Sequence, residues 1–95
     1  MLNDIIDYLR DNYPDQKFDK YVNNLNTDTV YFNSLFVKNI YTEIWEKENY
    51  IEVKTFAVNS DKNPTTLMYS KVCFGRPASV FNKVKTDSEL LKKIL

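Results

Sequence analysis

The sequence predicts an α+β fold: N-terminal helices, a mostly antiparallel sheet of four or five strands, and a C-terminal helix. Three observations carry that prediction. Apolar residues recur at helical spacing at the amino end, residues 31–74 are rich in aromatic and β-branched side chains around a strong turn signal, and Thr86-Asp87-Ser88-Glu89 opens a leucine-bearing run at the carboxyl end. The short connections leave no room for crossover helices over most of the sheet, which sets aside dinucleotide-binding topologies. At 95 residues the chain is expected to form one domain, 1–95, because two pieces would each be too small to bury an adequate core.

Taken in order, Leu2, Ile5, Ile6, Leu9 and Tyr13 share one helical face, so a helix is expected from Leu2 to about Asn12, ended by Pro14. Asp4, Asp7 and Asp11 then gather on the opposite face as an acidic ridge. Phe18, Tyr21, Val22 and Leu25 repeat the helical spacing after Asp15, predicting a second short helix to about Asn24, and Asn23, Asn24, Asn26 and Asp28 read as a loop. Thr29 to Phe32 is strand-like, with Asn33-Ser34 able to turn the chain. Leu35 to Lys47 supports both a helix by periodicity and a strand by composition; its Val, Ile, Tyr, Thr and Trp content favours the strand. Lys47-Glu48-Asn49 would turn into Tyr50 to Val58, the firmest strand, and Asn59 to Pro64 would turn into a partner strand, Thr65 to Phe74. Gly75 is expected to supply a positive φ before a last strand, Ser79 to Lys85. The capping box at Thr86 would start a C-terminal helix, Asp87 to Leu95.

Composition narrows the function classes. Histidine is absent and Cys73 is the only cysteine, which removes the commonest general base, leaves too few soft ligands for zinc, and excludes an intrachain disulfide. Cys73 reads as a small buried hydrophobe. Glu43, Glu46, Glu48 and Glu52 cluster around the expected hairpin turn, where carboxylates ordinarily form a solvated face. No phosphate-binding glycine motif or calcium loop is present. An enzyme is therefore not expected, and neither a cofactor nor a metal. No apolar run approaches a membrane span or a signal peptide, so the expected location is the cytoplasm. Lysine and asparagine dominate the polar residues; this is the codon signature of an AT-rich genome and hints at a phage or other mobile element, in which case the cytoplasm is the host's.

Formal net charge is zero but unevenly spread: residues 1–61 carry −5 and residues 62–95 carry +5. Two partner classes follow. The first is a protein, met by a small non-enzymatic interaction module of the inhibitory or accessory kind, through the ridge Asp4, Asp7 and Asp11 or an aromatic patch with Tyr41 and Trp45. Trp45 is expected in the core, holding the sheet to a helix. The alternative is nucleic acid, held by Lys71, Arg76, Lys83 and Lys85 on or beside adjacent strands, with Tyr69 and Phe81 as stacking platforms. A pI near 6.2 and a shortage of arginine weigh against that alternative. Self-association is compatible with either, and no membrane partner is expected.

Overall fold

Five consecutive strands pair into a sheet, and two amphipathic helices close one side of it. The computed structural model describes residues 2–22, 26–48, 50–58, 64–73 and 76–94, and the side chains of all of these except 58 and 64–73. The order is α1 (Leu2–Asn12), β1 (Phe18–Val22), β2 (Asp28–Asn33), β3 (Ile40–Glu46), β4 (Tyr50–Val58), β5 (Pro64–Cys73) and α2 (Pro77–Ile94). The strands lie in chain order, each antiparallel to the next. The fold is thus α+β, with a five-stranded meander between two helices.

Strand parity sends alternate side chains to opposite faces, and both helices occupy the same one. Leu2, Ile5, Ile6 and Leu9 of α1 and Val80, Phe81 and Val84 of α2 share a buried cluster with Val30, Phe32, Ile44, Ile51 and Val53 of the sheet. Each such side chain, fully buried, contributes about 1.5–3 kcal/mol of transfer free energy. Phe81 ties the layers together: its ring lies 5.2 Å from Tyr8, 5.8 Å from Tyr13 and 6.1 Å from Phe32. A smaller cluster joins Leu91 of α2 to Ile40 and Ala57. The radius of gyration, 12.6 Å, matches the roughly 12 Å expected of a compact domain this long. No described helix is long and apolar enough to cross a membrane.

Two expected elements are replaced. Residues Phe18–Val22 form a strand where a second helix was predicted. Their helical spacing spans barely two turns, too short to hold a helix unaided, and the segment instead pairs in full register with β2, from Phe18 opposite Phe32 to Val22 opposite Asp28. Ser79 to Lys85, expected as a strand, belongs to the 18-residue α2. Val80, Phe81, Val84, Asp87, Ser88 and Leu91 are its buried residues, a helical period that the alternation of Val80, Asn82 and Val84 imitates over a short window. Pro77 fits the first helical position, where its missing N–H costs nothing, and the Arg76 carbonyl accepts from the Ser79 and Val80 amides. The capping box is accordingly overturned: Thr86 sits in mid-helix, its hydroxyl donating to the Asn82 carbonyl at 2.9 Å.

Elsewhere the reading and the structure meet. Leu35 to Lys47 is a strand from Ile40, preceded by a loop in which Ser34 and Asn39 take φ of 58° and 68°. The Lys47 amide donates to the Tyr50 carbonyl at 2.8 Å, closing the β3–β4 hairpin. The expected turn at Asn59 to Asn63, the loop residues Asn23 and Asn24, the positive φ of Gly75 and the side chain of Cys73 lie outside the described residues; Pro64 itself opens β5.

Candidate functional site

The face of the sheet opposite the helices is the most distinctive surface of the molecule. Parity and register assign to it Asp19 and Tyr21 of β1, Thr29 and Tyr31 of β2, Tyr41, Glu43 and Trp45 of β3, and Tyr50, Glu52, Lys54 and Phe56 of β4. No described helix covers it. Six aromatic side chains from four strands therefore share the side away from the helices, with Trp45 and Phe56 buried there and Tyr21 exposed.

The rings are ordered. Tyr31 and Tyr41 stack at 6.0 Å, Tyr41 and Phe56 stack at 5.6 Å, and Tyr31 lies 6.4 Å from Phe56, so one ladder crosses β2, β3 and β4. Such pairs each contribute about 0.5–1.5 kcal/mol beyond their burial. At one end the Lys54 ammonium rests 4.9 Å from the Phe56 ring centre, a cation held on a π face. At the other end Tyr21, 39% exposed, hydrogen-bonds through its hydroxyl to the Glu43 carboxylate. Burial first, then the neighbouring Glu43 charge and its hydrogen bond, push the Tyr21 phenol from 10.0 up to about 12.

Tyr31 has an unusual pair of neighbours. Asp19 stands directly opposite it on β1 and Glu43 directly opposite it on β3, so one ring is flanked by two carboxylates. Burial raises the Tyr31 phenol, with contributions from Tyr41, Glu43 and Asp19. Beside it a hollow of about 310 Å³ is lined by Lys17, Phe18, Asp19, Tyr31, Phe32 and Asn33.

Of the residues singled out in the sequence, Tyr41 and Trp45 do share this face. Trp45 is buried, at 7% exposure, but belongs to neither cluster beneath the helices. Its burial is therefore on the open side, and the expectation that it fastens the sheet to a helix is corrected. In register it lies between Thr29 and Glu52. Asp4, Asp7 and Asp11 are exposed on α1, away from Leu2, Ile5, Ile6 and Leu9, as the ridge requires. The basic set is dispersed over different elements: Lys71 is in β5 opposite Glu52, Arg76 precedes α2, and Lys83 and Lys85 are exposed on α2 itself. Lys83 is 3.7 Å from the buried Asp87. Phe81 is core and offers no stacking surface, while the Lys71 and Tyr69 side chains lie outside those described. The four glutamates also separate, since parity places Glu46 on the helix side and Glu43 and Glu52 on the open side.

The grouping of Asp19, Tyr31 and Glu43 was hidden from sequence reasoning, because it depends on the β1–β2–β3 register and β1 looked helical. Alternation of Asp19 and Tyr21 against Phe18, Lys20 and Val22 was the available signal. No protein-family model, curated protein or solved structure matches this chain significantly, so its own geometry is what speaks for a function.

Proposed function

We propose that the chain is a small non-enzymatic interaction module that docks another protein on the open face of its sheet. The observation that carries this reading is the Tyr31–Tyr41–Phe56 ladder on the side of the sheet away from both helices. Tyrosine is suited to such a role because it offers large, rigid contact area with a polar tip, and loses little side-chain entropy on binding. The ladder stiffens the rings before a partner arrives, which reduces the ordering cost of association. The absence of histidine from the chain supports binding over catalysis.

Nucleic acid is the weaker reading for this face. Among the described side chains it carries Asp19, Glu43 and Glu52 against Lys54, a balance that repels phosphates. Affinity capture from lysate of the source cell tests the docking reading, with a Tyr31→Ala/Tyr41→Ala double variant alongside. Wild-type protein should retain a partner that the folded double variant loses. Equal capture by both, or capture by neither, would sink the proposal.

A further inference from the structure

We propose that the occupant of the open face is a cationic, arginine-bearing peptide segment, with a guanidinium seated over the Tyr31 ring between Asp19 and Glu43. This rests on the docking role proposed above and names the chemistry of its partner. Three observations converge. Tyr31 has a carboxylate opposite it on each neighbouring strand, and a planar cation stacked on a ring between two acids satisfies both attractions at once. The same ring ladder already holds a cation, since Lys54 lies over Phe56 at 4.9 Å; that ammonium shows the chemistry the Tyr31 end would repeat with an outside group. A hollow of about 310 Å³, lined by Lys17, Phe18, Asp19, Tyr31, Phe32 and Asn33, opens on the Asp19 side of Tyr31 and gives such a group room to enter from there.

Charge selects an outside segment over a second copy. Two such faces would set Asp19 and Glu43 of one copy against the same acids of the other. An arginine-bearing peptide brings the opposite charge.

The test is fluorescence anisotropy of a labelled hexa-arginine peptide at low ionic strength, with labelled hexa-glutamate and oligothymidine as alternatives. Hexa-arginine should bind, and hexa-glutamate and oligothymidine should not. Tyr31→Ala, and the isosteric pair Asp19→Asn with Glu43→Gln, should each weaken binding on the order of fivefold. Tyr31→Phe should retain it, and circular dichroism verifies that each variant is folded. Failure of hexa-arginine to bind overturns the proposal, as does preferential binding of oligothymidine. So does a loss produced by Asp7→Asn with Asp11→Asn in place of the Asp19 and Glu43 changes, which would assign the peptide to the α1 ridge. If ring variants lose the captured cellular partner while the carboxylate variant keeps it, the cationic occupant falls and the docking face stands. If neither loses it, both fall.

Discussion

Tyr21 is the side chain whose chemistry most directly reports the state of the open face. Its folded-state pKa is raised from 10.0 to about 12, by burial first and by Glu43 second. The folded protein therefore holds the phenolic proton more tightly than the unfolded chain does. The stabilisation this gives is fully present below pH 10 and is lost as pH rises through 10 towards 12. The melting temperature should fall across that window, and Tyr21→Phe should flatten part of the fall, with Tyr13 and Tyr31, both shifted upward, supplying the rest. An unchanged alkaline slope in Tyr21→Phe would contradict the assignment. Glu43→Gln should lower the Tyr21 titration midpoint without returning it to 10, because burial remains; absorbance near 295 nm follows it. Phe81 is the corresponding residue on the helix side. Its contacts with Tyr8, Tyr13 and Phe32 predict that Phe81→Ala costs about 3–5 kcal/mol in urea unfolding. A loss under about 1 kcal/mol would mean that the ring is not the joint between layers.

At the scale of elements, α2 offers the sharpest discrimination. Were Thr86 an N-cap, Thr86→Ala would cost about 0.5–2 kcal/mol. As an exposed mid-helix residue with its hydroxyl on the Asn82 carbonyl, it should instead be neutral or stabilising by a few tenths of a kcal/mol, which thermal denaturation of the variant decides. How legible each element was depended on how long its pattern ran. α1 shows its period over three turns and is followed by a proline two residues on; β4 alternates from Tyr50 to Thr55. Both could be read directly. β1 has five residues, of which only Phe18 is even half-buried, so little hydrophobic contrast marks its faces and its state is set by pairing with β2. The N-terminal half of α2 contains Val80, Val84 and Asn82 at a spacing common to both periods, and the helix-forming run beyond Asp87 was assigned to a separate element. For the site, Tyr41 and Trp45 share a face by parity within one strand, which a sequence reveals. Asp19, Tyr31 and Glu43 meet only across strands, and their register depends on two loops whose lengths carry no such signal.

Across the whole molecule, folding keeps the unequal charge of the two ends visible. Asp4, Asp7 and Asp11 are exposed on α1, and Lys83, Lys85, Lys92 and Lys93 on α2, so acidic and basic helices cover the same side of the sheet while the rings occupy the other. The sheet also has graded protection. β3 is bonded on both sides, whereas the outer edge of β1 pairs with no described strand. In native-state hydrogen exchange the β3 amides should be among the last to exchange and alternate β1 amides among the first; equal protection of β1 would reveal another partner at that edge. The contact between Tyr8 and Phe81 has a different consequence, for synthesis. All five strands pair with chain neighbours and can assemble as they emerge, but α1 meets α2 only after more than seventy further residues are made. At about 5–20 residues per second, that is a delay on the order of ten seconds. During it Leu2, Ile5, Ile6 and Leu9 lack their α2 neighbours, so α1, translated ahead of the whole sheet, is among the last elements to be sealed, and the nascent chain presents to chaperones an apolar helix face that the folded protein conceals.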